Sequence, residues 1–345
     1  MRDAERLGVR RAGSLSRSAA ATGILLALAL IGANVEVSPL KQASERLSSR
    51  SLASAAPTMN AFGASGEVRV RFARPGAALE MPLQVAGDPT KLRYEWLTLD
   101  DSAAVAPPRL LEGADVVTPD LPGLYRLALS TPGSARRLVP GLTVGVLVPF
   151  EEKQGRSLNG YRMGMWRGER HADAKAPLPA GFLEVQERDQ DRPLTRHIRV
   201  SDFLTHDNQS QWPRYVAVDT RLLDKLELVL AQLESDLGGA AVGGEAPRFV
   251  LEIRSAFRTP FHNARVPGSA RDSRHQSGEA IDVAIDADRD GRFTRKDLKL
   301  VIKALEEVER THPELAGGIG TYTSRRFSSP YLHMDVRGDH VRWRG

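Results

Sequence analysis

Two histidines and two aspartates in the C-terminal third of the chain are the residues whose types and spacing are best suited to chemistry. His275 and Asp282 lie in the segment SRHQSGEAID, and His333 and Asp335 follow in the later segment YLHMDV. Imidazole nitrogens and carboxylate oxygens are ligands that Zn²⁺ accepts in proteins, and a catalytic zinc keeps one position open for water. Two histidines and one carboxylate meet that requirement.

The spacing within the two segments indicates how these side chains reach one another. Gly278 and Ala280 are small, so the backbone between His275 and Asp282 can fold close to a metal. In the alternating run YLHMDV, His333 and Asp335 point to the same face of a strand. One of this pair can bind the metal while the other takes the proton of the activated water or stabilises the imidazole. We therefore expect His275, Asp282 and His333 as ligands and Asp335 as the general base, with the last two roles exchangeable.

The first segment matches the pattern Ser-x-His-x-x-Gly-x-Ala-x-Asp, which resembles the signature of the zinc D,D-peptidases of the M15 clan. The match is carried by Ser273, His275, Gly278, Ala280 and Asp282. The branch that includes murein endopeptidase K is the more similar one, because GGIGTY and YLHMDV resemble its glycine-rich strand and its final His-x-Asp element. The resemblance covers roughly residues 215–345. It implies zinc as the cofactor and peptidoglycan peptides as the substrate.

Two further residues near the expected ligands have expected roles. Arg258, in the segment SAFRTP, resembles the substrate-side arginine of this clan. A guanidinium at that place can hold a peptide carboxylate or polarise the scissile carbonyl, and the alternative is a structural ion pair. Ser273 is expected to orient the site, since a metal-activated water needs no serine nucleophile.

A second cation site is predicted directly after Asp282. The segment DADRDGRFTRKD, residues 286–297, has the spacing of a calcium-binding loop, with Gly291 at the turn position. Position 12 of this loop is aspartate rather than the usual glutamate. The alternative is a solvated acidic turn, whereas a bound Ca²⁺ would brace the zinc site. The expected calcium ligands are Asp286, Asp288, Asp290, the backbone carbonyl of Arg292, and Asp297.

The composition restricts the class of protein. The 345 residues are 41% hydrophobic and 26% charged, which is typical of a globular protein. Because the chain contains no cysteine, disulfides and thiolate metal sites are excluded. The net charge of +5 and the pI of about 9.6 favour an anionic partner, but the positive charge is scattered, so nucleic acid is not expected as a partner.

The N-terminal segment predicts export. Several arginines precede the apolar run AAATGILLALALIGA, the order found in signal peptides, so residues 1–37 are interpreted as a signal peptide or a signal anchor. We expect the protein in the periplasm or cell envelope, attached to the cytoplasmic membrane if this segment is not cleaved. Residues 38–65 are rich in Ser and Ala and are interpreted as a flexible tether.

The remaining chain predicts an α+β protein. Residues 66–150 contain short β-rich runs separated by Pro and Gly, which indicates a small β-sandwich-like domain. Residues 151–214 are interpreted as a connector packed on the catalytic domain. Residues 215–345 are expected to form the metallopeptidase-like domain, a small antiparallel sheet flanked by helices, beginning with a strong amphipathic helix over residues 219–237.

Three functions are compatible with this set of features. The first is an endopeptidase, of D,D or L,D type, that cleaves peptide cross-links of peptidoglycan with a zinc-activated water. The second is a D-alanyl-D-alanine carboxypeptidase, which requires Arg258 beside the free carboxylate of its substrate. The third is a zinc-containing protein that binds the cell wall without cleaving it.

Overall fold

The structure of the protein is a computed structural model that describes residues 38–39, 70–80, 83–84, 91–111, 115–237, 249–323 and 327–345. The predicted signal segment, residues 1–37, lies outside the described residues, as does all but two residues of the predicted tether. In the part of the chain that is described, no helix is long and apolar enough to cross a membrane.

The first part of the described chain is built from β-strands. Strands β2, β9, β8, β5 and β6 lie in this order in one sheet, in which β2 runs parallel to β9 and the other neighbours are antiparallel. Two antiparallel pairs, β1–β4 and β3–β7, accompany it. In β8 the alternate large side chains Tyr125, Leu127 and Leu129 are buried in the core. The strands are β1 (Ser38–Pro39), β2 (Val70–Ala73), β3 (Ala78–Glu80), β4 (Leu83–Gln84), β5 (Arg93–Thr98), β6 (Arg109–Leu110), β7 (Asp115–Val117), β8 (Gly123–Ser130) and β9 (Arg137–Val146).

The middle of the chain combines short strands with single 3₁₀ turns. Its strands form an antiparallel sheet of order β10-β13-β14 and a hairpin β11–β12. Aromatic side chains link this segment to the C-terminal part, because Phe182 contacts both Trp166 and Phe257, with ring centroids 5.5 and 6.3 Å apart. The strands are β10 (Val148–Pro149), β11 (Ser157–Leu158), β12 (Tyr161–Arg162), β13 (Gly181–Val185) and β14 (Arg214–Val216).

The C-terminal part contains a second five-stranded sheet, of order β15-β16-β18-β17-β19, together with the helices. Strand β19 runs parallel to β17, and the other neighbours are antiparallel. The strands are β15 (Leu251–Ser255), β16 (Ala280–Ile285), β17 (Gly318–Tyr322), β18 (Tyr331–Asp335) and β19 (Val341–Arg344). The helices are α1 (Thr220–Asp236), α2 (Pro260–Asn263) and α3 (Arg295–Thr311).

The two faces of the second sheet differ in chemistry. One face is apolar and shares a buried cluster with side chains of α3, namely Ile281, Val283, Leu332, Met334, Val301 and Leu305. The opposite face carries Asp282 and His333, which are direct partners in the antiparallel register. Because neighbouring residues of a strand alternate between faces, a helix-covered apolar face forces the polar residues between them onto the other side.

Helix α1 joins the two sheets. Asp219 caps its N-terminus by accepting a hydrogen bond from the backbone of Arg221, and its leucines are buried in the core, as the sequence predicts. Helix α1 contacts both β2 and α3. In that interface Arg71 of β2 forms a buried ion pair with Asp224, at 3.3 Å. The architecture of several small sheets and few helices confirms the predicted α+β class.

Candidate metal centre

His275 is placed by a single 3₁₀ turn, Arg274–Ser277, that precedes β16. Ser273 caps this turn, since its hydroxyl accepts a hydrogen bond from the backbone N–H of His275 at 3.4 Å. The turn ends at Gly278, whose φ is +76°, and a Cβ there would overlap the backbone carbonyl of Ala217. A left-handed conformation in so little space requires glycine. Ser273 therefore contacts the backbone of His275, and its orienting role stays a prediction.

Residues distant in sequence hold this turn in place. The indole Nε1 of Trp166 donates to the backbone carbonyl of Gln276 at 2.8 Å, and this contact is buried. The backbone N–H of Arg258 donates to the carbonyl of His275 at 3.1 Å, and that of Asp219 donates to Gly278 at 3.0 Å. The middle segment, α1 and the loop after β15 thus all fix the backbone that carries the first histidine.

The three expected ligands meet at one point. His275 Nε2 lies 3.2 Å from both Asp282 Oδ1 and His333 Nδ1, and His333 Nδ1 lies 2.9 Å from Asp282 Oδ1. All three residues are at least nine-tenths buried. Ligand atoms held at about 2.0–2.1 Å by a tetrahedral zinc are about 3.3–3.4 Å apart. The observed triangle therefore fits a zinc-sized cation with a shift of a few tenths of an ångström.

The orientation of both imidazoles supports a cation at this point. His275 Nδ1 contacts the carbonyl oxygen of Ala256 at 2.6 Å, and because a carbonyl only accepts, this nitrogen carries the proton. His333 Nε2 donates in the same way to Asp335 Oδ2 at 3.1 Å. When both rings are neutral, two nitrogen lone pairs and the carboxylate of Asp282 converge on one another. Three converging acceptors repel each other unless a positive charge, either a metal ion or a proton on His333, lies between them.

The same contacts determine the pKa values of His275, His333 and Asp282. Burial lowers the pKa of His275 and outweighs the opposite effect of Asp282. Burial also opposes charge on His333, but its hydrogen bonds to Asp282 and Asp335 prevail and raise its pKa. Burial alone would raise the pKa of Asp282, but the charges and hydrogen bonds of His275 and His333 hold it well below its usual range. A cation at the site would take the place of the proton that His333 otherwise gains.

Asp335 lies behind His333 rather than beside the ligand atoms. It is fully buried, and its carboxylate accepts hydrogen bonds from His333 Nε2, the backbone N–H of Gly318 at 2.7 Å and the guanidinium of Arg337. These bonds outweigh burial and hold the pKa of Asp335 far below its usual range. A carboxylate that is enclosed, ion-paired and weakly basic is a poor proton acceptor. The geometry favours a role for Asp335 in fixing His333 over the base role expected from the sequence.

Arg258 contacts one of the three expected metal ligands. Its guanidinium forms an ion pair with Asp282 Oδ2, and its Nε donates to the Ser255 hydroxyl at 2.6 Å. One carboxylate oxygen of Asp282 therefore faces the histidines while the other is held by Arg258. Of the two expectations for this arginine, the structural ion pair is the one that the geometry shows.

Aromatic side chains form a wall on the same sheet face. In the register of the strands, Gly320 lies between His333 and Trp343, and a Cβ on Gly320 would overlap the indole. Trp343 therefore lies over the glycine, with its ring centroid 5.0 Å from that of His333. The next row of the sheet holds the cross-strand pair Tyr322 and Tyr331, whose rings stack at 4.7 Å.

The predicted calcium loop brings three carboxylates together. Ligand oxygens of Asp286, Asp288 and Asp290 lie within 4.8 Å of one another. The turn is shaped by Gly291, with φ of +81°, whose N–H donates to Asp286 Oδ2 at 2.9 Å. Lys296 pairs with Asp288 at 2.7 Å.

Asp297, another expected calcium ligand, is not one of these three residues, although its carboxylate interacts with that of Asp288. Asp297 accepts backbone hydrogen bonds from Ala287 at 2.8 Å and Thr294 at 2.7 Å, so its carboxylate caps the start of α3. Arg292 is exposed, and its N–H donates to Asp290 at 2.9 Å. The shorter side chain of aspartate at position 12 is used for capping in this structure.

Sequence reasoning missed several residues that shape the site. Arg337 follows Asp335 closely, so its pairing could have been inferred from the short spacing. Ala256 acts through its backbone carbonyl, and Trp166 acts from 110 residues away, so neither leaves a local pattern. Trp343 reaches His333 only because β19 pairs parallel to β17, which the sequence pattern does not indicate.

No family model, no curated protein and no solved structure matches this chain. Assignment of a function therefore depends on the geometry of the site and on the motif that carries it.

Proposed function

We propose that this protein is a zinc-dependent peptidase that hydrolyses peptide bonds in the cross-links of peptidoglycan. The observation that carries the proposal is the convergence of His275 Nε2, Asp282 Oδ1 and His333 Nδ1 at 2.9–3.2 Å with the other nitrogen of each ring already engaged. Two histidines and one carboxylate leave a coordination position open, as a catalytic zinc requires. Zinc rather than another metal is favoured by this ligand set and by the resemblance of the motif.

The residues around the ligands have separable tasks in this proposal. When bound, zinc would act as a Lewis acid and lower the pKa of a water to about 7. Asp335 keeps the proton of His333 on Nε2, so that Nδ1 faces the site, and Arg258 fixes the second oxygen of Asp282. The side chains of Asp282 and His333 remain about one-tenth exposed, which gives a substrate access from the open sheet face.

Properties of the whole chain also support the proposed substrate class. The predicted export segment and the net charge of +5 suit a partner in the anionic cell wall. The resemblance to the zinc D,D-peptidases supports a bond next to a D-amino acid. The engagement of Arg258 with Asp282 and Ser255 leaves it less suited to hold a free substrate carboxylate, which favours cross-link cleavage over carboxypeptidase action.

A digest of defined muropeptides tests this function. The zinc-loaded full-length protein is incubated with a cross-linked dimer and, separately, with an uncross-linked pentapeptide monomer, and the products are separated and weighed by mass spectrometry. We expect the dimer to yield monomers and the pentapeptide to stay intact. His275→Ala should abolish cleavage and zinc binding, whereas His171→Ala, at an exposed histidine, should change neither.

Each other outcome identifies a different function. Loss of the terminal residue from the pentapeptide with an intact dimer would indicate a carboxypeptidase. Binding of zinc and of peptidoglycan without any cleavage would indicate a non-catalytic wall-binding protein. For the acidic loop we propose Ca²⁺ as the ligand of Asp286, Asp288 and Asp290, because carboxylate oxygens at this spacing match its preference.

A further inference from the structure

Tyr331 is placed beside the metal centre but has no role in holding it. It begins β18 two residues before His333 and therefore lies on the same sheet face. Its side chain is half-buried. Among the described residues no hydrogen bond engages its hydroxyl, whereas the hydroxyl of the neighbouring Tyr322 accepts one from Trp343 Nε1 at 3.1 Å.

Tyr331 stacks on a neighbour that reaches toward the row of His333. Tyr322 reaches from its own row of the sheet to Trp343, which lies in the row of His333. The rings of Tyr331 and Tyr322 are 4.7 Å apart and inclined by only 5°, so the two rings lie face to face. The charges of Asp282 and Arg258 both act on the Tyr331 hydroxyl, which agrees with a position at the rim of the metal centre.

The surroundings of Tyr331 hold its ring in one orientation. Tyr322 stacks on it, Phe327 meets it edge-on at 5.1 Å, and the guanidinium of Arg254 lies 5.0 Å from its centroid. Arg254 is in turn held by hydrogen bonds to Ser328 and Ser329, at 3.0 and 2.6 Å. A polar group fixed in advance can stabilise a developing charge without the cost of reorganising.

We propose that Tyr331 is a catalytic residue whose hydroxyl donates a hydrogen bond to the substrate carbonyl oxygen as it becomes an oxyanion. This inference rests on the proposed peptidase function. The water oxygen forms a bond to the carbonyl carbon, and the carbonyl π pair moves onto its oxygen. When that pair returns, the carbon–nitrogen bond breaks and the amine nitrogen takes up a proton released by the water. Tyr331 keeps its own proton throughout, as a phenol does at neutral pH.

The engagement of Arg258 with Asp282 leaves room for a separate donor to the carbonyl oxygen. The resemblance implies that Arg258 holds a substrate carboxylate or polarises the scissile carbonyl, with a structural ion pair as the alternative, but its guanidinium is already bound to Asp282 and Ser255. Tyr331 supplies a donor on the same side of the site that no other residue in the described part of the chain engages. An alternative is that Tyr331 only packs the aromatic wall, and the substitution that separates the two possibilities removes the hydroxyl and keeps the ring.

Tyr331→Phe, assayed in the full zinc-loaded chain on the cross-linked muropeptide dimer, tests the proposal. A donor used only in the transition state lowers kcat by about 100-fold and leaves KM within about twofold. The affinity for a phosphinic peptide, which mimics the tetrahedral oxyanion, should fall by the same factor, while zinc content and Tm stay at wild-type values. Tyr125→Phe in strand β8, far from the site, is the matched control and should keep wild-type kcat.

The possible outcomes separate this inference from the function on which it rests. A Tyr331→Phe variant with kcat and phosphinic-peptide affinity within threefold of wild type would overturn the catalytic role while the peptidase function stands. Parallel losses of zinc content and Tm would also overturn it, since they indicate a packing role. A wild-type protein that binds zinc but cleaves no dimer would refute the peptidase function and the inference together.

Discussion

Replacing Asp335 with asparagine separates a residue that orients a ligand from one that accepts a proton. The carboxylate is fully buried and accepts hydrogen bonds on both oxygens, from Gly318 and Arg337 on one and from His333 and Arg337 on the other. Asparagine has one acceptor oxygen and one NH₂ group. Whichever way the amide turns, its NH₂ meets groups that are themselves donors.

The expected loss of zinc affinity depends on which hydrogen-bond donor the NH₂ group of the asparagine meets. If the NH₂ faces His333, Nε2 must become an acceptor, and the proton moves to Nδ1, the atom that faces the ligands. Loss of such an outer carboxylate lowers metal affinity by about 10- to 100-fold, which corresponds to about 1.4–2.7 kcal/mol. The metal-free variant should also lose about 2 kcal/mol of unfolding free energy, since hydrogen bonds to a charged group are worth about 1.5–3 kcal/mol.

Zinc affinity is measured by competition with a chromogenic chelator, and unfolding free energy by urea titration of the metal-free protein. Asp339→Asn is the matched control, because Asp339 is exposed and follows the same strand, and it should keep the zinc affinity of wild type. If Asp335→Asn kept that affinity within twofold and lost catalysis, the carboxylate would act as the general base and the orienting role would be wrong.

Three other predictions address the scaffold and the second cation site. Burial, offset in part by its ion pair, raises the pKa of Asp224 to about 6, so the folded state binds this proton more tightly than the unfolded chain. Wild-type stability relative to Asp224→Asn should therefore fall by about 2 kcal/mol between pH 4 and pH 7. Urea titrations at these two pH values that give a constant difference would contradict this. Gly278→Ala should lower Tm and zinc affinity far more than Gly268→Ala. Both glycines have φ near +75°, but an added Cβ would meet backbone atoms only at Gly278. Equal effects of the two substitutions would show that this steric overlap does not matter. Ca²⁺ should raise the Tm of wild type but not of Asp288→Ala, and an equal rise in both would show that the acidic loop is not the calcium site.

The sequence predicted those features of the fold that depend on local pattern. The leucine spacing and the Asp219 cap located helix α1 within one residue at each end. Alternation in YLHMDV correctly separated the core residues Leu332 and Met334 from the site residue His333. The convergence of the three ligands was also predictable from residue type and from the spacing within two separate motifs, although it is the pairing of β16 with β18 that places His333 beside Asp282.

The roles of the charged residues around the ligands could not be predicted. Whether Asp335 faces the ligand atoms or the back of His333 depends on side-chain direction, which strand alternation does not specify. The pairing of Arg258 with Asp282 depends on how the loop after β15 returns to β16. The position of Trp343 over Gly320 requires the parallel pairing of β19, a contact that no short-range pattern encodes.

The metal centre is the central claim, and anomalous diffraction from crystals of the zinc-loaded protein, measured at the zinc absorption edge, tests it most directly. We predict one strong anomalous peak in this site, about 2.0–2.2 Å from His275 Nε2, Asp282 Oδ1 and His333 Nδ1. No peak within reach of these three atoms, or a zinc ion bound only elsewhere on the protein, would contradict the assignment of this site as a zinc centre.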